Sequence, residues 1–333
     1  LKKGKSVVTA NKKLIAEHFN ELLELQKKHG AALLYEAACC ASIPIIRNLE
    51  EYYDNDLLES IEGIVNGSTN YILSKTEEEK ISYQEALKQA QEKGYAESNP
   101  ILDTGGFDAK FKLLILIAHA FGKVLKPSEI FNLGIDSLGE FELNYAREKG
   151  YKIKLVAQAL KDEAGQISAF VFPKFVEKSD KLFSVDDVFN GIKTKSCFSD
   201  VQFFSGKGAG AHPTASAVIS DLSALSYDYR YEYKKLSDKA ELKNKNDIFL
   251  KVLFRHNAAE SSAFKKYFVS IEESFQAKEG GYLVGLISLE QIERIRLRNN
   301  PSYSFVLFGI AEGFTAKDHP REPDIEFREL FMD

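Results

Sequence analysis

The first 35 residues alternate between apolar and polar positions in the pattern of a strand, a helix and a second strand. Residues 6–9 form a short β-branched run, and residues 13–28 repeat apolar side chains at helical spacing. Gly30 is a helix stop signal, and an apolar run at 32–35 predicts the second strand. This order predicts a βαβ unit with parallel strands, whose ligands bind beyond the carboxyl ends of the strands. The residues at those ends are Thr9, Ala10, Asn11, Lys12 and Glu36.

The longest apolar run follows a polar loop in the middle of the chain. This loop contains Glu97, and the helix after it carries Asp108, Lys110 and Lys112 in its first turns, before an almost unbroken apolar run at 113–121. A helix that is apolar on nearly all sides is buried, so its charged start stands where a core meets a polar loop. Asp108 and Lys112 are four residues apart and lie on one face. On spacing alone, such a pair is more often a helix-start ion pair than an active site, and a residue such as Lys12 is more often a solvated loop lysine.

Two further motifs combine a turn with the start of a helix. Residues 61–73, IEGIVNGSTNYIL, contain an Asn66-Gly67 turn signal, and Ser68 and Thr69 can cap the helix that follows. Backbone N–H groups at such a helix start suit a carboxylate or phosphate ligand, although simple capping is the commoner outcome. Residues 206–222, GKGAGAHPTASAVISDL, place three glycines in five positions ahead of a small-residue helix. The glycines permit a close approach to a ligand, and a purely structural loop is the alternative.

The second half of the chain is predicted to contain two more groups of elements. Strand-like patterns at 152–159, 167–176 and 201–204 indicate an antiparallel or mixed sheet in an α+β substrate domain. The charged residues 235–247 then indicate a linker. Beyond it the pattern predicts strand, helix, strand, helix and strand at 248–254, 263–275, 282–286, 290–298 and 304–310. This last unit is similar to a shortened ACT-type regulatory domain.

Composition and charge narrow the class of protein. At 333 residues, with 44% hydrophobic and 28% charged residues, the chain has the composition of a soluble protein of two or three compact units. A formal net charge of −5 without a basic block argues against a nucleic-acid partner, and no uncharged apolar run is long enough for a membrane span. The three cysteines do not form a disulfide framework and no secretory signal is present, so we expect a reduced, cytoplasmic protein.

The start of the chain lacks two expected features. No G-x-G-x-x-G motif precedes the βαβ unit, and the sequence does not begin with Met. We therefore expect a truncated chain that holds only the last part of a dinucleotide-binding sheet.

Five motifs, taken together and in this order, closely resemble homoserine dehydrogenase. They are VVTANKKLIA, LLYEA followed by IPII, IEGIVNGSTNYIL, AQEKGYAESNPILDTGGFDAKFKLLIL and GKGAGAHPTASAVISDL, and they span residues 6–222. The long fourth motif is quite specific. The resemblance implies the reversible oxidation of L-homoserine to L-aspartate 4-semialdehyde with NAD or NADP, in threonine, methionine and isoleucine biosynthesis. It also implies a small amino-acid substrate and a homodimer or homotetramer.

The resemblance assigns roles to individual residues. Glu97 and Asp108 would hold the α-ammonium group of the substrate, and Lys112 and Lys12 would lie near its hydroxyl or aldehyde carbon. Such a half-buried lysine can have a lowered pKa and exchange a proton with the reacting oxygen in both directions. The other implied substrate contacts are Asn66, Gly67, Ser68 and Thr69, and the implied cofactor contacts are Thr9, Asn11, Lys12, Gly208, Ala209 and Gly210. A monovalent cation, Na⁺ or K⁺, would bind Glu36 and the carbonyls of Cys39, Ala41 and Ile43, in a loop where the family usually has glycines.

The combined prediction is a mixed α/β and α+β fold. A remnant of a Rossmann parallel sheet (1–35) precedes a catalytic and dimerisation domain with a mixed sheet (36–205). A return segment to the nucleotide-binding domain (206–232) and a linker (233–247) lead to the ACT-like unit (248–333). A longer form is expected to oxidise homoserine and this chain to do so poorly. The alternative is a non-catalytic, amino-acid-sensing or assembly fragment, which the missing glycine motif favours for this chain; the fourth motif argues against another amino-acid dehydrogenase.

Overall fold

The computed structural model describes residues 1–55, 57–236, 241–257, 260–278, 280–311 and 313. They divide into two compact units, the described residues up to 242 and those from 243 onward. Each unit is described separately below. Within the described residues, no helix combines the length and the apolar character that crossing a membrane would require.

The chain begins with the predicted βαβ unit. Strands β1 (Val7–Val8) and β2 (Leu33–Leu34) pair in parallel on either side of helix α1 (Lys12–His29). The Asn11 side chain caps α1 by accepting a hydrogen bond from Leu14 N at 3.0 Å, and Gly30 ends it with a left-handed φ of 63°. The predicted parallel strand pair is confirmed, and the carboxyl end of β1 leads directly into Lys12.

Helices fill the next part of the chain. They are α2 (Ile45–Arg47, continued by a π-helix Asn48–Tyr52), α3 (Gly67–Glu78), α4 (Tyr83–Glu92), α5 (Ile101–Thr104) and α6 (Phe107–Phe121), with strand β3 (Leu58–Ile64) between α2 and α3. Every residue of α6 from Asp108 to Phe121 is buried, as its apolar run predicts. Gly106 and Gly122 bound this helix in left-handed conformations, with φ values of 80° and 69°.

A mixed sheet forms the core of the first unit. After β4 (Phe131–Asn132) and α7 (Glu140–Lys149) come β5 (Lys152–Lys161), β6 (Gln166–Val176), β7 (Phe189–Ser196), β8 (Asp200–Lys207), α8 (Ala211–Leu225) and β9 (Glu241–Leu242). The strands β6, β5, β3, β7 and β8 are antiparallel neighbours in that order, and β4 and β9 pair with β6 in parallel. Helices α3 and α6 pack against β5. The predicted mixed sheet is confirmed, with β3 and β7 as strands that the sequence pattern did not predict.

The second unit has the order β–α–β–β–α–β. Its elements are β10 (Phe249–His256), α9 (Ser261–Lys265), β11 (Phe268–Gln276), β12 (Gly281–Ser288), α10 (Leu289–Arg296) and β13 (Ser304–Ala311). The antiparallel strand order is β11-β12-β10-β13. Residue 312 and residues 314–333, which the predicted ACT-like unit included, lie outside the described residues.

One prediction in this unit was wrong. The predicted helix at 263–275 is a short helix followed by strand β11, because Phe264, Phe268, Ile271 and Phe275 imitate helical spacing while the segment pairs with β12. The boundary between the two units, at 242/243, falls within the predicted linker at 235–247, which also contains β9 and a 3₁₀ turn at Lys245–Asp247; residues 237–240 lie outside the described part. A local sequence pattern does not show which segments of the chain pair as strands.

Candidate functional site

One buried carboxylate lies between two lysines at the start of helix α6. Asp108 Oδ1 is 2.9 Å from Lys12 Nζ, and Asp108 Oδ2 is 2.7 Å from Lys112 Nζ. Lys112 comes from the next turn of the same helix, whereas Lys12 comes from the start of α1. The Lys12 side chain is 42% exposed and that of Lys112 only 10%, so the pair of ammonium groups extends from the surface inward. The structure thus brings together three of the predicted site residues.

The charges of this cluster determine its protonation. Burial by itself would raise the pKa of Asp108, but the ammonium groups of Lys112 and Lys12 outweigh it and hold the pKa well below its usual value. Burial by itself would lower the pKa of Lys112, but the Asp108 carboxylate outweighs it and raises that pKa. The expectation of a lowered pKa for Lys112 is therefore wrong for this structure. Lys112 carries a proton here.

Asn66 connects this cluster to the start of helix α3. Its Nδ2 donates to Asp108 Oδ2 at 2.8 Å and to Asp103 Oδ1 at 2.7 Å. Its Oδ1 accepts from the Thr69 backbone N–H at 2.8 Å and caps α3. The Asn66 side chain therefore holds the predicted turn at residues 66–69 next to the carboxylates of Asp103 and Asp108.

The other residues of this turn make local contacts. Thr69 is fully buried, and its hydroxyl donates to Asn66 Oδ1. The Ser68 hydroxyl donates to the Tyr95 carbonyl at 2.5 Å. The Gly67 main chain packs so closely on the Val188 carbonyl that an added Cβ would lie 2.9 Å from its oxygen. The predicted role of these residues in substrate binding stays a prediction.

Asp103 is a site residue that the sequence reading missed. Burial raises the pKa of Asp103, the Asn66 hydrogen bond lowers it, and the net shift is upward. Glu97, predicted as the second carboxylate of the site, is exposed in a loop where its main-chain carbonyl accepts a hydrogen bond from Gln91 Nε2 at 3.0 Å. The second carboxylate that the structure joins to Asp108 through Asn66 is thus that of Asp103. In the sequence, the feature that could have pointed to Asp103 was its position five residues before Asp108.

The glycine-rich loop lies beside two other parts of the site. The Ser42 hydroxyl donates to the Lys207 carbonyl at 3.0 Å, which joins this loop to the segment after Glu36. A Cβ added at Gly67 would lie 3.4 Å from Ala209 Cβ, which places the loop next to the start of α3. Gly210 has a φ of 118° and leads into α8. Thr9 and Asn11, the other predicted cofactor residues, contact each other through an Asn11 N–H that donates to Thr9 Oγ1 at 3.1 Å.

Glu36 turns its side chain toward helix α2. Its two carboxylate oxygens accept from the Ile46 and Arg47 backbone N–H groups at 2.8 and 3.0 Å. The loop after it has left-handed, non-glycine residues at Cys40 and Ala41, with φ values of 57° and 44°. Each Glu36 oxygen accepts one main-chain hydrogen bond and keeps a second lone pair, so the predicted role of Glu36 in cation binding stays a prediction. Among the described residues, no three acidic, histidine or cysteine side chains are arranged to hold a metal ion.

The free energy of unfolding should depend on pH through Glu36. Burial raises the pKa of Glu36 to about 7, above its value in the unfolded chain. The folded state therefore retains a proton that the unfolded state has lost, and this stabilisation is complete below the unfolded pKa and lost as the pH rises through the folded pKa. We expect the loss to be about 3 kcal/mol between pH 4 and pH 8.

Urea unfolding of Glu36→Gln and of the unaltered protein at pH 5 and pH 8 measures this effect. Because the glutamine cannot ionise, the variant should gain stability relative to the unaltered protein at the higher pH. Glu78→Gln is the control, since Glu78 is an exposed partner of Lys75. A difference between Glu36→Gln and the unaltered protein that is the same at both pH values would contradict the prediction.

Comparison with known families identifies the chain. The sequence profile described as homoserine dehydrogenase matches residues 44–223. The profile described as homoserine dehydrogenase, NAD binding domain, matches residues 1–36. These segments contain the helix with Asp108 and Lys112 and the βαβ unit with Lys12, so both halves of the charged cluster fall within matched regions.

Relatives and solved structures agree with these matches. A homoserine dehydrogenase from Lactococcus lactis is 36% identical over 311 residues, covering 89% of this chain and 72% of the relative. One from Neisseria gonorrhoeae is 40% identical, covering 67% of this chain and 51%, about half, of the relative's length. The crystal structure of a Thiobacillus denitrificans homoserine dehydrogenase, 29% identical, superposes with a TM-score of 0.79 and covers 91% of this chain and 76% of that chain. This chain belongs to the homoserine dehydrogenase family of nicotinamide-dependent oxidoreductases.

Proposed function

We propose that the cluster around Asp108 and Lys112 oxidises L-homoserine reversibly to L-aspartate 4-semialdehyde. The observation that carries this proposal is the buried Asp108 carboxylate, held between the ammonium groups of Lys12 and Lys112 at 2.9 and 2.7 Å. A buried charge is stable only when it is paired. Here the pairing places positively and negatively charged groups together at one buried position. An amino-acid alcohol needs both, because it carries a cation, an anion and a reacting hydroxyl group.

The cluster can recognise the two charges of a small zwitterion. The carboxylates of Asp108 and Asp103, which Asn66 joins, would hold the α-ammonium group, with Glu97 as a further candidate from its loop. The backbone N–H groups that precede Thr69 at the start of α3 would hold the α-carboxylate, and Lys12 would lie with Lys112 near the reacting hydroxyl group.

Lys112 is the group that exchanges a proton with the reacting oxygen. In reduction, its ammonium donates a proton to the developing alkoxide. In oxidation, the α-ammonium group of the substrate competes for Asp108 and so weakens the partner that raises the pKa of Lys112. Its neutral amine can then accept the hydroxyl proton. Val65 O, which accepts from Lys112 Nζ at 2.7 Å, holds the amine in place during both steps.

The residues around the glycine-rich loop fit a nicotinamide cofactor, NAD or NADP. An added Cβ at Gly208 would lie only 2.0 Å from the Asn190 side chain, so the backbone there is as close to its neighbours as glycine allows. Asn190 Oδ1 is buried and has no hydrogen-bond partner among the described residues, which suits a ligand that brings an N–H donor. The cofactor contacts would be Gly208, Ala209, Gly210, Thr9, Asn11 and Lys12. When bound, the cofactor supplies the hydride acceptor.

Three finer assignments accompany this proposal. A Na⁺ or K⁺ ion would be held by Glu36 and the carbonyls of Cys39, Ala41 and Ile43. The second unit, with its β–α–β–β–α–β order, would be an ACT-like regulatory unit. The active protein would be a cytoplasmic homodimer or homotetramer.

Calorimetric titration of this chain with L-homoserine tests substrate recognition without a cofactor. We expect saturable binding of L-homoserine, and none of 4-hydroxybutanoate at the same concentrations, because the latter lacks the ammonium group that the carboxylates hold. Turnover is tested by homoserine-dependent reduction of NAD and NADP. It is measured on this chain and on a chimera, the extended form, which adds at the amino terminus residues of the Lactococcus lactis relative that this chain does not match. Equal affinity for the two ligands would overturn the proposed recognition, and an extended form that binds homoserine without turnover would favour a sensing role.

A further inference from the structure

Asn190 shares a hydrogen-bond acceptor with Lys112. It is the second residue of β7 and is fully buried. Its Nδ2 donates to the Val65 carbonyl at 3.1 Å, and Lys112 Nζ donates to the same oxygen at 2.7 Å. Two donors on one carbonyl restrict each other's direction, so the position of the Asn190 amide influences the position of the Lys112 ammonium group.

The same amide lies against the glycine-rich loop. A Cβ built on Gly208 would lie 2.0 Å from Asn190 Cγ, 2.1 Å from Oδ1 and 2.2 Å from Nδ2. Real Cβ atoms do not approach other atoms this closely, so the loop can rest on this amide only because residue 208 is glycine. The Gly208 N–H donates to the Val188 carbonyl at 3.2 Å and fixes the loop at the same place.

The hydrogen bonding of Asn190 does not suit a residue that serves only the core. Its Oδ1 is buried and has no partner among the residues that the structure describes. An unpaired buried acceptor destabilises the fold, and an apolar side chain of similar size would avoid that cost. Besides a hydrogen bond with the Cys40 thiol, the amide contacts the Val65 carbonyl and Gly208, and these two contacts join it to Lys112 and to the glycine-rich loop.

We propose that Asn190 is a positioning residue. Its amide supports the glycine-rich loop at Gly208, a contact that we call the seat of the loop. Because the amide shares the Val65 carbonyl with Lys112, it also fixes the position of this seat relative to the Lys112 ammonium group. The assignment of chemistry to Lys112 rests on the proposed function, whereas the seat itself rests on geometry alone. The two parts can therefore fail separately.

The seat is tested by a compensating pair of substitutions in this chain, without ligand. Gly208→Ala drives a methyl group into the Asn190 amide and should lift the loop. Hydrogen–deuterium exchange of residues 206–210 should then be about tenfold faster. Adding Asn190→Ala removes the three atoms that the methyl group meets, and the double variant should exchange no faster than Asn190→Ala alone. A double variant that exchanges as fast as Gly208→Ala would overturn the seat.

Gly67→Ala is the matched control for this pair. Its added Cβ would meet the Val188 main-chain oxygen at 2.9 Å, an atom that Asn190→Ala does not remove. Any acceleration of exchange caused by Gly67→Ala should therefore persist when Asn190→Ala is added. Rescue of both glycine variants by Asn190→Ala would mean a general loosening of this region and would also count against the seat.

The link to Lys112 is tested with Asn190→Asp in the amino-terminally extended form. Aspartate keeps the shape that seats the loop but cannot donate to Val65 O, so kcat should fall about tenfold while homoserine affinity changes less than threefold. Asn70→Asp is the control, because Asn70 is an equally buried amide whose carbonyl acceptors, Val185 O and Phe189 O, are not those of Lys112. Aspartate at 70 loses the same two donors but keeps Lys154 Nζ, 3.0 Å from the Asn70 oxygen, as a partner, so kcat should not fall in this variant.

The outcomes of these measurements are distinguishable. An unchanged kcat in Asn190→Asp would refute the link to Lys112. An equal loss of kcat in Asn70→Asp would show that stability alone is responsible. If the unaltered extended form does not turn over homoserine, the proposed function fails, and the exchange measurements still decide whether Asn190 seats the loop.

Discussion

Replacing Lys112 with methionine is expected to lower kcat for homoserine oxidation by a factor of about 10²–10⁴, the usual contribution of a positioned proton-transfer group. Methionine has a similar length and fills the buried position, but it cannot carry a proton to or from the reacting oxygen. Asp108 keeps its partner Lys12 in this variant, so the carboxylate remains paired. Homoserine affinity should therefore change by less than about threefold, the signature of an interaction made in the transition state. Initial rates in the extended form and calorimetry on this chain measure the two quantities.

Lys110→Met provides the matched control for this experiment. Lys110 lies two residues earlier on the same helix, is similarly buried, and stacks over the Phe107 ring at 5.1 Å. A loss of kcat in Lys112→Met that Lys110→Met reproduces would point to damage of helix α6 and not to lost chemistry. A Lys112→Met variant with unaltered kcat at every pH would remove Lys112 from the mechanism.

The helix that carries the site could be predicted from the sequence because the information is local. The apolar run after Lys112 requires burial, and the glycines at 106 and 122 mark the ends of helix α6, which runs from Phe107 to Phe121. The spacing of Asp108 and Lys112 then places both side chains on one face, where the structure finds them 2.7 Å apart. The parallel pairing of β1 and β2 was predictable for a similar reason, since a helix of this length between two short strands has few other arrangements.

The features that could not be predicted depend on contacts between distant parts of the chain. The upward pKa shift of Lys112 reflects a balance between burial and Asp108 that spacing alone does not fix. The participation of Asp103 depends on Asn66, 37 residues earlier in the chain. Asn190 carries no motif, and only the folded chain brings it to Val65 and Gly208. The family resemblance named Glu97, whose loop the structure places at the surface, and its role in the site stays a prediction.

Replacing Asp108 with asparagine should destabilise the protein by about 3–5 kcal/mol at neutral pH, because it removes one partner of a buried ion pair and leaves the other behind. Lys112 would lose the carboxylate that keeps it charged and would have to give up its proton or be buried unpaired. Urea unfolding measures the change, and Glu78→Gln, which breaks an exposed pair with Lys75, should cost less than about 1 kcal/mol. The double variant Asp108→Asn/Lys112→Met should recover much of the loss, since neither charge remains buried without its partner. A small effect of Asp108→Asn, or a double variant less stable than the single one, would show that these two charges are not held as the buried pair on which substrate recognition is proposed to depend.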